Sequence, residues 1–257
     1  MYEPEILNTS NKADTGEPVI SISHLYKSFG KNNVLIDFNL NLYKGENVVV
    51  LGKSGSGKSV LIKCIVGLLE PDEGQIMVLN NNVTEMNSKE LDILRTKVGF
   101  LFQSNALYDS MTVRENLEFP MRRRWLHISA QEANEKVMEV LTHVGLAHTV
   151  DMTPSELSGG MRKRIALART LMPAPEIMIY DEPTTGLDPI TGKEINTLIV
   201  ELGKKYNTSA IIISHDMNSI QMTADRIVML IDGRCYAEGT FDELKKNNDP
   251  KVKQFFE

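Results

Sequence analysis

The run Gly52-Lys53-Ser54-Gly55-Ser56-Gly57-Lys58-Ser59 sets glycines, a lysine and a serine at the spacing of a phosphate-cradling loop. Glycines there let successive backbone N–H groups fold around a phosphate without Cβ clashes. In such a loop Lys58 would reach the outer phosphates of a nucleoside triphosphate, and the Ser59 hydroxyl would hold Mg²⁺. Far downstream, Ile177-Met178-Ile179-Tyr180 runs straight into Asp181-Glu182. A strand-borne Asp181 suits fixing Mg²⁺, usually through water. Glu182, one residue on, is placed to polarise an attacking water as general base. Adjacent acids are commonly just solvated turn residues. The apolar run before this pair, Pro183 after it and the glycine loop elsewhere favour the catalytic reading. A third stretch, Leu157-Ser158-Gly159-Gly160-Met161 followed by Arg162-Lys163-Arg164, reads as a helix start. Ser158 would cap it, Gly159 and Gly160 would expose backbone donors, and the first turn is basic, which together make a second anion site. One chain has little use for two phosphate sites on one nucleotide, unless the second serves a nucleotide held by another copy.

These residues need rigid supports. Asn47-Val48-Val49-Val50-Leu51 predicts a buried strand leading into the loop, and Ser59 to Val66 a helix leaving it. Apolar runs at 177–180, 210–213 and 227–231 predict further strands. Separated by helical stretches, they imply a buried parallel sheet. Alternation from Val19 to Tyr43 resembles paired strands, with another strand at Gln75 to Leu79 and one from Lys97 to Phe102. Asn87 with Glu90, Thr112 with Glu115, Ser129 with Glu132 and Thr240 with Glu243 fit reciprocal helix caps. Between about 105 and 157 the pattern is helical, and Ala133, Val137, Val140, Leu141 and Val144 form one stripe. Asp232-Gly233 signals a hairpin. Ser59 and Asp181 are 122 positions apart, which leaves room for an inserted helical unit.

Composition narrows the classes. With 257 residues, 42% hydrophobic and 24% charged, the chain can bury a large core. A net charge of −6 argues against nucleic acid as the main partner. Cys64 and Cys235 lack paired spacing and read as inert packing residues of a reducing compartment. The N-terminus lacks the basic start and apolar run of a signal peptide, and the apolar runs fall short of the ~20 residues of a membrane span. The expectation is a cytoplasmic protein whose membrane role comes through a partner. His24, His127, His143 and His148 match no motif.

The Leu-Ser-Gly-Gly stretch, the glycine loop and the acidic strand end, in this order, resemble the ATP-binding-cassette (ABC) family from about Ile20 to Leu244. The resemblance implies an α/β fold: a P-loop NTPase (RecA-like) core with a parallel sheet, an N-terminal antiparallel β subdomain and an inserted α-helical subdomain. It divides the chain into a disordered tail, 1–17, a single cassette domain, 18–245, with the helical subdomain at about 104–165, and a C-terminal extension, 246–257. It implies that Phe29 stacks on adenine, that Gln103 coordinates Mg²⁺ and senses the γ-phosphate, and that Asp188 touches the partner subunit's site. It makes His215 the residue that contacts the γ-phosphate and orients water. ATP and Mg²⁺ are the implied cofactors. The implied assembly is a head-to-tail homodimer sandwiching two ATP, with the loop 52–59 of one copy facing Ser158-Gly159-Gly160 of the other. Met161 stands where the family usually has glutamine, and Gly186 stands in the loop before Asp188.

The stretches Leu-Ser-Gly-Gly-Met-Arg-Lys-Arg, Tyr180 to Ile190 and Leu101 to Val113 are similar to the ATPases of Mla/MCE phospholipid transporters. That implies an integral-membrane permease and a lipid-binding MCE protein as partners, and a place on the cytoplasmic face of the inner membrane. The alternatives are an amino-acid or other small-solute importer, or a non-transport ABC ATPase. The run Arg122-Arg123-Arg124 suits anionic headgroups, the permease or a solvated helix end alike.

Overall fold

The computed structural model describes residues 16–122 and 129–257. The expected tail lies outside the described residues except for Gly16 and Glu17. Arg123, Arg124, Trp125 and the Arg122 side chain also lie outside them.

Two strands open the chain, β1 (Ile20–Phe29) and β2 (Asn32–Leu42), followed by β3 (Asn47–Leu51), α1 (Lys58–Ile65), β4 (Glu73–Val78) and the short β5 (Asn81–Asn82). Next come α2 (Ser88–Thr96), β6 (Val98–Leu101), α3 (Val113–Glu118), α4 (Ala130–His143) and α5 (Gly159–Leu171). The rest alternates: β7 (Ile177–Asp181), α6 (Pro189–Tyr206), β8 (Ser209–Ile213), α7 (Met217–Thr223), β9 (Arg226–Ile231), β10 (Arg234–Gly239), α8 (Phe241–Lys245) and α9 (Pro250–Lys253).

Strands β2-β1-β4-β5 form an antiparallel sheet, and β10-β9-β3-β8-β7-β6 a second sheet that is parallel except for the edge strand β10. This is the expected P-loop core with its antiparallel and helical additions. The β3 residues explain the layering. Successive side chains of a strand face opposite ways, and here both faces are covered. Val48 and Val50 pack with Leu61, Ile62 and Ile65 of α1 and Ile20 and Ile22 of β1. Val49 and Leu51 pack with Leu167 and Leu171 of α5 and Ile195 and Ile199 of α6. Each such fully buried aliphatic side chain contributes about 1.5–3 kcal/mol, so β3 is a rigid stem for the loop that follows it.

The four reciprocal caps read from sequence all form, at Asn87/Glu90, Thr112/Glu115, Ser129/Glu132 and Thr240/Glu243. In the helical insertion, Val137, Val140, Leu141 and Val144 are buried against α5 residues, whereas Ala133 is only half-buried. Arg226, at the start of β9, ties the sheets together. It donates to Glu46 at 2.8 and 2.9 Å, to Glu238 at 2.5 Å and to the Asn41 carbonyl at 2.5 Å. Burial opposes its charge, but the two carboxylates outweigh burial and strengthen the guanidinium's hold on its proton. The last residues pack on this core: Val252 is 1% exposed, Phe256 meets Phe241 edge-on, and Tyr236 donates to Asp249 at 2.9 Å. Among the described residues no helix is long and apolar enough to cross a membrane.

Candidate nucleotide and catalytic site

Strand order brings the chemistry together. Parallel strands β3, β8 and β7 are neighbours, so their C-terminal ends share one edge. The glycine loop follows β3, His215 lies just beyond β8, and Asp181 ends β7. One cavity of about 600 Å³ at this edge is lined by Phe29, Ser54, Gly55, Gly57, Lys58, Ser59, Gln103, Asp181, Glu182 and His215, with Val34, Val60 and Ile213.

The loop is built for an anion. Helix α1 is the one α-helix among the described residues whose N-cap gives no side-chain hydrogen bond, because the cap is Gly57. Its first amides are left for a ligand, and the helix dipole favours negative charge there. Gly57 has φ 106°, and an added Cβ would lie 2.9 Å from Val34 Cγ1 and 3.0 Å from the Val34 carbonyl. No other residue fits. Lys58 is 8% exposed, and its Nζ donates to the carbonyls of Gly52 at 2.7 Å and Lys53 at 2.9 Å. Burial lowers its pKa, with Glu182 and Asp181 pulling the other way. Reaching an outer phosphate therefore means exchanging those two carbonyl bonds. Lys53 turns away from the cavity, donating to Gln254 Oε1 at 2.9 Å. Together with Ser54, Gly55 and Ser56 it borders a second hollow of about 500 Å³ beneath the C-terminal segment.

Across the cavity stand the carboxylates. Burial raises the Asp181 pKa, the adjacent Glu182 raises it further, and Lys58, Lys63 and Lys163 oppose the shift. Ser59, Asp181 and Gln103 offer only hard oxygen donors, and no cluster of three or more His, Cys, Asp or Glu suited to a metal occurs among the described residues. Such an incomplete oxygen set fits Mg²⁺, which keeps waters and takes phosphate oxygens as further ligands. Glu182 holds a left-handed backbone, φ 50°, conformations of this kind costing roughly 1–3 kcal/mol at functional positions. Its N–H donates to the Ile213 carbonyl at 3.0 Å, its Oε1 lies 2.9 Å from His215 Nδ1, and its Oε2 accepts from Thr185 at 3.2 Å. Phe29 lines the cavity and is 50% exposed, so its ring is open to a ligand.

The remaining candidates sit elsewhere. Ser158 Oγ caps α5, accepting from the Met161 amide at 3.2 Å. Asp188 caps α6, accepting from the amides of Ile190 and Thr191 and from the Thr191 hydroxyl. These bonds lower the Asp188 pKa, the Thr191 hydroxyl most. A Cβ on Gly160 would lie 2.7 Å from Thr191 Cγ2, so the two helix starts adjoin. Neither Ser158-Gly159-Gly160 nor Asp188 lines the cavity. The three basic residues of the first turn of α5 go different ways. Arg162 donates to the Leu157 carbonyl at 2.7 Å, Arg164 pairs with Glu194 at 2.6 Å, and Lys163 is buried. The amides of Gly159 and Gly160 at this helix start remain as donors for an anion. Lys163 itself was legible as an oddity, a lysine in register with the buried Ala166, Leu167 and Thr170. The Gln254 contact had no sequence signal.

A glycine loop with free helix amides, facing aligned carboxylates across one sheet edge, defines a P-loop nucleotide hydrolase. The chain belongs to the ABC transporter family, whose model matches residues 35–185. It is 37% identical over 238 residues to the probable ribonucleotide transport ATP-binding protein mkl of Mycobacterium leprae, a match covering 92% of this chain and 68% of that one. It is 35% identical over 237 residues to the intermembrane phospholipid transport system ATP-binding protein MlaF of Haemophilus influenzae, covering 92% and 89%. Among solved structures, it superposes with TM-score 0.76 and 32% identity on a dimeric ATP-binding cassette in a post-hydrolysis state with ADP and Pi, covering 86% of this chain and 98% of that one. This chain is thus an ATP-binding, ATP-hydrolysing cassette of a transporter.

Proposed function

We propose that the chain energises phospholipid transport between inner and outer membranes, as an ATP-driven homodimer docked on a permease at the cytoplasmic face of the inner membrane. The observation that carries the dimer is a separation within one chain: Ser158-Gly159-Gly160 and Asp188 form a patch that does not border the cavity of Lys58, Asp181 and Glu182. A head-to-tail pair would bring the patch of one copy to the cavity of the other. Backbone amides of α1 and of the partner's α5 would then grip one triphosphate from two sides. Phe29 would hold the adenine face. Mg²⁺, held by Ser59, Asp181 and Gln103, would neutralise charge on the phosphates. Glu182 would take the proton of the attacking water, with His215 orienting the carboxylate and meeting the γ-phosphate. Loss of phosphate would remove what joins the two halves, and the dimer would open.

The lipid cargo is supported by the motifs at 101–113, 157–164 and 180–190 and by the relative named for intermembrane phospholipid transport. A lipid-binding MCE protein belongs to that assembly. The relative named for ribonucleotide transport favours a small-solute cargo instead. Purifying the tagged chain from solubilised membranes of its own host tests the two. Recovery of a multi-span permease with an MCE protein and bound phospholipid is expected, and a soluble solute-binding protein in their place would overturn the lipid reading. Dilution tests the dimer: turnover per chain should collapse below the self-association constant, and a flat rate from monomers of verified mass would refute the shared site.

A further inference from the structure

Helix α5 carries two cations that point away from its Ser158-Gly159-Gly160 end. Lys163 is 2% exposed, and its Nζ donates to the Gln103 carbonyl at 3.0 Å. Further along, Arg169 donates to the Ala106 carbonyl at 2.7 Å and to the Asn105 carbonyl at 3.0 Å. One helix thus supplies cationic donors to three carbonyls of a single short turn. That turn needs them. Asn105 and Ala106 have φ of 65° and 52°, left-handed conformations that disfavour residues with a Cβ. Charge-assisted bonds to their carbonyls are about twice as strong as neutral ones and hold the turn open. Burial works against the Lys163 charge, and the Gln103 carbonyl is the one direct partner of its ammonium among the described residues.

We infer that Lys163, assisted by Arg169, is a positioning residue that keeps the Gln103 turn in register with the Ser158–Gly160 end of the same helix. Its ammonium holds a backbone carbonyl of that turn, and it stands on the element that carries the dimer-facing amides. Movement of that end then shifts the oxygen donors offered to Mg²⁺. This rests on the reading of Gln103 and Asp181 as the metal side of the site.

The test compares the wild type with K163M, Lys163→Gln, Q103A and D181N. Binding of a fluorescent ATP analogue is measured with and without Mg²⁺, alongside kcat, KM and thermal unfolding. In K163M, Mg²⁺-dependent binding and kcat should both fall by about 10–100-fold, the range for residues that orient metal ligands, with metal-free binding and KM nearly unchanged. K163M with normal Mg²⁺ dependence, beside an impaired Q103A and D181N, would overturn the inference alone. Normal Mg²⁺ dependence in all of them would overturn the site assignment beneath it. If K163M is too unstable to purify, Lys163→Gln decides, since its shorter, neutral side chain stays polar but gives up the charge-assisted bond to the Gln103 carbonyl. Weakened Mg²⁺ dependence there supports positioning, and unaltered dependence refutes it.

Discussion

His215 Nδ1 lies 2.9 Å from Glu182 Oε1, although the two residues follow different strands and are 33 positions apart. The histidine side chain is 68% exposed and the glutamate only 15%. The carboxylate is therefore gripped from its open side by His215 and, through its other oxygen, by Thr185. Its backbone is already confined to a left-handed conformation. Little freedom remains, which is what a general base aimed at one water requires.

Glu182→Gln should lower ATP turnover by about 10²–10⁴-fold while nucleotide binding persists. His215→Ala should lower it less, and the double variant no further than Glu182→Gln alone, because groups acting as one unit are not additive. Steady-state kinetics of the three variants checks this. Fully additive losses would mean that the two side chains act separately.

Phe29→Ala should weaken ATP binding about 5–150-fold, the equivalent of the 1–3 kcal/mol of an aromatic–base stack. The ring is half exposed, and Lys27, whose ammonium lies over it, keeps its bond to Asp72, so the melting temperature should change little. GTP should be affected to a similar degree, since stacking reads the ring face. A titration showing unchanged affinity would remove Phe29 from the site.

Asp181→Asn gives a pH-dependent outcome. Burial first, and Glu182 second, raise the Asp181 pKa in the folded chain. A raised acid favours folding below its ordinary value, about 3.9, and that advantage is lost as pH rises through the folded value. At neutral pH the ligand-free variant should thus melt above the wild type, with the gap closing as pH falls toward about 4. Stabilisation by Mg²⁺ and ATP should disappear. Melting curves across pH decide it, and a gap independent of pH would exclude the carboxylate's charge as the cause.

Arg226→Met should cost about 3–5 kcal/mol, because Glu46 and Glu238 would remain half-buried without their cation. Arg226 pairs in register with Val48 at the start of β3, the end away from the glycine loop. ATP affinity should therefore be spared in the folded fraction. Urea unfolding measures the loss, and a change under 1 kcal/mol, the range of surface pairs, would show that the carboxylates find water.

The local features were legible because their causes are local. The glycine loop, the apolar strand into Asp181 and the four reciprocal caps each depend on residues within a few positions of one another, and each forms where the sequence puts it. What a side chain faces is another matter. Arg162, Lys163 and Arg164 read as one basic turn, yet the packing of α5 sends them to a carbonyl of their own helix start, to the Gln103 turn and to α6. Placing β8 between β3 and β7, and so His215 between the loop and Glu182, depends on pairing among segments far apart in the chain. Residue order alone specified which groups could do the chemistry. Which of them meet was decided by strand order and helix packing, whose energies come from contacts between distant segments.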